Sequence, residues 1–293
     1  MEMYKIKLGE YRDYIEAEIE KAIPESDAVQ KVLEAMRYSL LGGGKRIRGV
    51  LALACCEMLT GSYKTAAPAA VSVEMVHAYS LIHDDLPCMD DDELRRGKPS
   101  CHVVYGEARA LLAGDALLTM AFEVLSGIGD GAKVKRCVSL LSRACGYQGM
   151  IRGQELDLAA EKEMSLSADD IEAMHAKKTG ALISSAAVMG AVMGDGLPEE
   201  VDTVRAYAEN IGLSFQIIDD ILDEESSESI LGKPVNSDRS KDKKTYLTVY
   251  GFDESRRMAK TLTEESIALI EARFSDKAWF LKQFAKDLLV RIN

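Results

Sequence analysis

Apolar residues recur three and four positions apart along most of the chain, the period of helices with one face turned inward, and strand-like alternation is scarce. The pattern predicts helices over residues 3–22, 27–42, 46–60, 64–85, 105–126, 132–145, 167–193, 199–223, 243–249, 253–270 and 276–291. The six prolines, Pro24, Pro68, Pro87, Pro99, Pro198 and Pro234, fall where the period stops, so they read as punctuation between helices. No segment repeats at a fixed period, which speaks against a solenoid. The expected architecture is all-α: one domain over residues 1–293, a helical bundle whose long helices surround a central cavity lined by inward side chains.

Composition sharpens this. Hydrophobic residues make up 47% of the chain but aromatics only 6%, so the core is built from Ala, Leu, Ile, Val and Met, which suit helices. The longest weakly polar run, "ALISSAAVMGAVMG" at 181–194, is too short to span a bilayer, and the first twenty residues mix charge with apolar positions. A soluble, cytoplasmic protein with no membrane span is expected. Cys55, Cys56, Cys88, Cys101, Cys137 and Cys145 form no CxxC pair, which points to reduced thiols rather than zinc or disulfides. A net charge of −12 argues against nucleic acid as a partner. An anionic small molecule fits only where cations gather locally or metal ions bridge the repulsion.

Two acidic clusters stand out against that background. In "SLIHDDLPCMDDDELRRGKP", residues 80–99, Asp84, Asp85 and Asp90 form DDxxxxD across a helix end. Mg2+ suits such a set, because it takes one or two carboxylates and fills its other positions with water and phosphate oxygens. A solvated acidic loop leaves the same trace. Arg95 and Arg96 favour the metal, since guanidinium forks match diphosphate oxygens. In "FQIIDDILDEES", residues 215–226, Asp219 and Asp223 are four apart and Asp220 and Asp223 three apart, so they share a helix face with Gln216. Carboxylates at that spacing repel unless a cation sits among them; an acidic helix end at the surface is the plainer reading. Two such clusters suggest two walls of one cavity, clamping a diphosphate through metals.

The cations begin with "LGGGKRIRGVL", residues 41–51, where three glycines precede Lys45, Arg46 and Arg48 at a helix start. That combination makes a phosphate cradle or a simple cap and turn. It is not a Walker loop, for Arg46 stands where Ser or Thr is needed. Lys177, Lys178 and Thr179 in "HAKKTG", Lys233 in "LGKP", and Lys243 and Lys244 in "SKDKKTY" read individually as surface residues. His77 lies seven residues before Asp84, about 10 Å along one helix face. Taken alone it reads as a core histidine rather than an anion contact.

Taken together and in this order, "GGGKRIR", "SLIHDDLPCMDDDELRRGKP", "GEARALLAGDALL", "GQELDL", "KKTGALI", "FQIIDDILD", "LGKPVNSD" and "KDKKTY" resemble the trans-isoprenyl diphosphate synthases, or polyprenyl synthetases, along nearly the whole chain. Within that family, the motifs resemble those of bacterial farnesyl diphosphate synthases. The resemblance implies a homodimeric, all-helical enzyme that joins isopentenyl diphosphate head to tail to an allylic diphosphate. It implies that Asp84, Asp85, Asp90, Asp219, Asp220 and Asp223 hold three Mg2+ ions, with Asp84, Asp85, Asp90, Lys178 and Asp219 the catalytic set. Arg95, Lys178, Thr179, Gln216, Lys233 and Lys243 then match contacts to the allylic diphosphate, and Lys45, Arg48, His77 and Arg96 match the isopentenyl diphosphate site. One departure is visible: the family's glycine-basic motif usually continues with proline, and here Gly49 follows Arg48. A slightly looser helix start is expected.

Product length in this family is set where bulky side chains close an apolar tunnel below the first acidic motif. Tyr79, five residues before Asp84, is bulky and Ser80 is small, a pair that resembles farnesyl synthases; a geranylgeranyl synthase is the alternative, and Tyr79 as ordinary core is the plainer reading. A terpene cyclase has no use for the glycine-basic element. A non-catalytic subunit of a heterodimeric synthase would normally lack one acidic cluster, and both are intact here.

Overall fold

The computed structural model describes residues 2–25, 30–162, 168–231 and 245–292. The described residues are almost wholly helical. Helix α1 (Glu2–Ala22) leads to α2 (Lys31–Leu40), α3 (Ile47–Thr60) and α4 (Ala67–Asp84), after which a two-stranded hairpin pairs β1 (Leu94–Arg95) with β2 (Lys98–Pro99). Helices α5 (Cys101–Tyr105), α6 (Glu107–Ser126), α7 (Gly131–Cys145), α8 (Met150–Lys162) and α9 (Ala168–His175) follow. A π turn, Ala176–Gly180, runs on into α10 (Ala181–Met193), and the bundle is completed by α11 (Pro198–Leu231), α12 (Tyr246–Tyr250), α13 (Phe252–Phe274) and α14 (Trp279–Val290).

The centre of the bundle is α10, where every residue from Leu182 to Met193 is buried against α3, α7 and α11. Only Ser184 and Ser185 interrupt its apolar surface, which suits the centre of a bundle. Its partner α3 is buried without a break from Gly49 to Cys56. The two backbones nearly touch at one point, for a Cβ on Gly190 would lie 2.1 Å from the Ala52 carbonyl oxygen. Glycine is required there by space. The short links are fixed by local chemistry: Asp130 accepts hydrogen bonds from the Ala132 and Lys133 amides at 2.8 and 3.2 Å and so caps α7.

Most expected helices are present, with informative differences. The run 167–193 is broken by the π turn into α9 and α10, and 105–126 is divided at Gly106, whose φ of 83° no helical residue adopts. Helix α11 continues to Leu231 instead of ending at 223. The expected helix 243–249 appears as Tyr246–Tyr250; residues 243 and 244, and residues 27–29 of the second expected helix, lie outside the described residues. Helix α8 was not expected at all. Its inward face carries polar residues, with Asp157 buried, and this hides the apolar period on which sequence reading depends. The hairpin was missed because its strands are two residues each.

Replacing Gly190 with Ala should lower the unfolding free energy by about 1–3 kcal/mol through overpacking, outweighing the roughly 1 kcal/mol that alanine gains in helix propensity. Urea denaturation measures this. An unchanged or higher midpoint would contradict the backbone contact with Ala52.

Candidate active site

Helix α4 ends at Asp84 because Pro87 cannot continue it, and the chain folds back at once. The Asp90 amide donates to the Asp84 carbonyl at 2.9 Å, and the Met89 and Asp91 amides donate to Leu86 at 2.8 and 3.2 Å. The three aspartates of the first cluster are thereby returned to one helix end. In the hairpin that follows, Arg96 and Gly97 take φ values of 55° and 75°, the positive pair that a type I′ turn needs. The turn sends adjacent arginines to different partners. Arg95 donates through Nε to Asp85 Oδ1 at 2.9 Å, and through Nη2 to the same oxygen and to Asp92 at 2.9 Å. Arg96 donates to the Gly43 carbonyl, closing the hairpin onto the glycine triplet.

Electrostatics separates the carboxylates. Asp84 is half-buried, and burial, with Asp90 and Asp85 adding to it, pushes its carboxyl up to about 6 against the pull of Lys178 and Arg95. Burial also raises Asp85, with Arg95 opposing.

The second cluster lies on α11. Thr179 Oγ1 donates to Gln216 Oε1 at 3.0 Å, Gln216 Nε2 donates to Asp220 Oδ1 at 2.8 Å, and the Tyr246 amide donates to Asp220 Oδ2 at 3.0 Å. Asp219 faces another way, its Oδ1 3.1 Å from Arg291 Nη2. Burial raises its carboxyl; Arg291 and Lys45 pull it down, and Asp223 adds to the rise. Asp223 itself is exposed.

The π turn lies between the clusters. Lys178 donates to Asp157 on α8 and feels Asp84 and Asp90, while its neighbour Thr179 reaches α11 through Gln216. Burial works against the Lys178 charge, but the three carboxylates outweigh it and its pKa is raised, so the ammonium is held protonated. Helix α8 can come this close only because residue 153 is glycine: a Cβ there would lie 2.2 Å from the Lys178 amide nitrogen.

The basic element divides. Arg46 is buried and structural: its guanidinium lies 2.7 and 3.1 Å from the two Glu16 oxygens, 2.6 Å from the Leu40 carbonyl and 3.5 Å from Glu74. Lys45 is exposed; burial and Arg291 lower its pKa, with Asp219 opposing. Arg48 Nε has no hydrogen-bond partner among the described residues. His77 borders, with Arg46, Glu74, Arg95 and Arg96, a small pocket of about 50 Å3 between α2, α4 and the hairpin. Burial and four arginines, Arg48 first, drive its pKa well below the usual range, so it is neutral.

Tyr79 is buried, its ring nearly perpendicular to that of His83 with centroids 5.7 Å apart, and His83 Nε2 lies 3.0 Å from the Leu111 carbonyl of α6. Ser80 Oγ donates to the His77 carbonyl at 2.9 Å. Lys233 and Lys243 lie outside the described residues. Asp157, Glu74 and Arg291 were not singled out from sequence. Asp157 sits in the quoted "GQELDL", but nothing local marks Arg291, which arrives from the far end of the chain.

A family model described as polyprenyl synthetase matches residues 29–281. The chain belongs to that family. It is 44% identical over 282 residues to the Arabidopsis thaliana heterodimeric geranylgeranyl pyrophosphate synthase large subunit 1, chloroplastic, covering 94% of this chain and 76% of that protein. Identity with the chloroplastic geranylgeranyl pyrophosphate synthase of Capsicum annuum is 43% over 281 residues, with the same coverage. Among solved structures, an FPP/GFPP synthase from Zymomonas mobilis superposes with a TM-score of 0.87 at 35% identity over 98% of both chains. A geranyltransferase from Legionella pneumophila gives 0.87 at 30% identity, covering 100% of this chain and 98% of that one. The all-α fold of the synthetases and trans-prenyl transfer go with this membership.

Among the described residues no three His, Cys, Asp or Glu side chains converge as a ready ligand cluster. The donor set of this polyprenyl synthetase still fits Mg2+, which needs one or two carboxylates per ion beside phosphate and water. Asp84, raised by burial and its acidic neighbours, is the group a nearby cation would relieve most.

In chelator, Asp84 should cost stability at neutral pH. Its carboxyl titrates near 6 when folded but near 3.9 when unfolded. Between those values the unfolded chain loses the proton first, so stability falls as pH rises through the window and stays reduced above it. Asp84→Asn should therefore stabilise the metal-free protein at pH 7 by on the order of 2 kcal/mol, with the gain gone near pH 4. Melting curves at both pH values check this, and an equal gain at both would count against it.

Proposed function

We propose that this polyprenyl synthetase is a farnesyl diphosphate synthase, condensing isopentenyl diphosphate with dimethylallyl and then geranyl diphosphate. What carries the reading is the π turn, from which Lys178 serves the first aspartate cluster and Thr179 the second. One diphosphate between the two walls would meet both. In this reading Asp84, Asp85, Asp90, Asp219, Asp220 and Asp223 hold three Mg2+ ions, the family's metal, which would offset charge on the allylic diphosphate. Arg95, Lys178, Thr179 and Gln216, with Lys233 and Lys243, bind that diphosphate. Lys45, Arg48, Arg96 and the neutral His77 bind isopentenyl diphosphate.

The chemistry follows from where charge develops. When the allylic C–O bond breaks, its electron pair leaves with diphosphate, and Lys178, held protonated beforehand, donates to the growing negative charge. The double bond of isopentenyl diphosphate supplies the electrons for the new C–C bond, and the proton then lost is taken by the departing diphosphate. Water must be kept from the allylic cation, a task for the apolar walls of α4 and α10.

Chain length rests on Tyr79, a buried aromatic one turn and a half above Asp84, in support of a fifteen-carbon product. The geranylgeranyl names of the plant relatives favour twenty carbons as the second reading. Exposed Val103, Val104, Leu111 and Leu112 on α5 and α6 support a second copy of the chain as partner. Cytoplasmic residence is in line with six free cysteines and with the lack, among the described residues, of any helix able to cross a membrane.

Product analysis with isopentenyl diphosphate, Mg2+ and dimethylallyl or geranyl diphosphate should give farnesol after dephosphorylation, and Tyr79→Ala should shift the main product to longer chains. Geranylgeraniol from the unaltered protein keeps the enzyme class and overturns the length. No product from either primer favours the non-catalytic subunit. An unchanged product from active Tyr79→Ala removes Tyr79 from the tunnel floor.

A further inference from the structure

We propose that Glu74 is a positioning residue for the isopentenyl diphosphate end of the cavity: its carboxylate ties the start of α3 to α4 and is the buried counter-charge for Arg46, Arg48 and Arg96. The inference rests on the two-substrate reading above. Glu74 is 2% exposed. A carboxylate so placed is costly unless hydrogen-bonded and paired. One oxygen, Oε1, accepts the Gly49 amide hydrogen bond at 2.8 Å, and Oε2 lies 3.5 Å from Arg46 Nη1.

Gly49 is the residue after Arg48, so this bond fixes the backbone from which Arg48 extends. The fit is close: a Cβ on residue 49 would lie 2.9 Å from Ile15 Cδ1 and 3.3 Å from Glu74 Cγ. A proline at that position has no N–H to give. The looser helix start expected from glycine is thus corrected, because the amide that glycine retains anchors the helix to α4.

The charges give the same answer. Arg46, Arg48, Arg96 and Lys45 gather at one end of the bundle, and Glu16, the other acid on Arg46, has a side chain 39% exposed. Among the groups acting on Arg48, burial and Arg96 oppose its charge, and Glu74 comes before Asp219 in favouring it. Arg96 is opposed by burial and Arg46, with Glu74 the foremost group in its favour. Three residues after Glu74 on the same face of α4 stands His77, which feels all of these arginines. Glu74 itself need not touch substrate. Without it the cations repel one another, and the geometry of Arg48 is no longer set.

The test is steady-state kinetics of Glu74→Gln and Glu74→Asp beside the unaltered protein, varying each substrate in turn. Gln keeps an acceptor for Gly49 but removes the charge. The expected result is a rise of roughly 10–100-fold in KM for isopentenyl diphosphate, on the scale seen when a partner that orients a metal-binding side chain is lost, with KM for geranyl diphosphate unchanged. Glu74→Asp should give a smaller rise in the same constant, and it carries the same readout if Glu74→Gln does not fold. Partial unfolding lowers the apparent kcat but leaves KM as it was, so a merely structural role would lower kcat and the melting temperature alone. That outcome, an equal rise in both KM values, or no change overturns the inference and leaves the synthase reading standing. An inert unaltered protein overturns both.

Discussion

Burial weakens a lysine's hold on its proton and nearby carboxylates strengthen it, and Lys178 has Asp157 in contact with Asp84 and Asp90 beyond it. Much of the surrounding structure serves that one arrangement. Helix α8 approaches the π turn through Gly153 to bring Asp157 within reach, and α4 stops at Pro87 so that Asp84 and Asp90 face the same ammonium. The buried, largely apolar α10 then supplies a rigid axle from which the turn projects. Burial raises the energy of each charge taken singly, and matching across helices is what makes the set tolerable.

The same accounting holds around the start of α3 with the signs exchanged. There the cations are in excess, and Arg46, held in a left-handed conformation at φ 50°, is turned inward onto Glu16 and Glu74. Among the described residues, Lys45 before it forms no ion pair, and the Nε of Arg48, two positions after it, has no hydrogen-bond partner. The three basic residues of this short stretch are therefore held differently, and Arg46 is a strut between helices.

What could be read from sequence was whatever a residue does within its own element. The spacing of Asp219, Asp220 and Asp223 put them close together on one helix, though Asp219 and Asp220 turn to different partners, and Pro87 marked the end of α4. Partners from distant elements left no local trace. Arg291 reaches Asp219 across 72 positions, the Tyr246 amide meets Asp220 only after the chain has left α11 and returned, and Asp157 sits on a helix whose inward face is polar. Reading by apolar period fails where a face is buried for its charge, as on α8.

The π turn has a further consequence in the currency of insertions and deletions. Such a turn is an α-helix carrying one surplus residue. If one residue of Ala176–Gly180 were struck out, the helix could close in regular register and the core around α10 would keep its packing. Everything ahead of the deletion would then rotate by about 100° about the axis, and the side chains at 178 and 179 would no longer be shared between α8 and α11. A single-codon gap between His175 and Ala181 would thus mark a gene copy that still folds but has lost the ability to bridge its two acidic walls, a scar legible by counting codons.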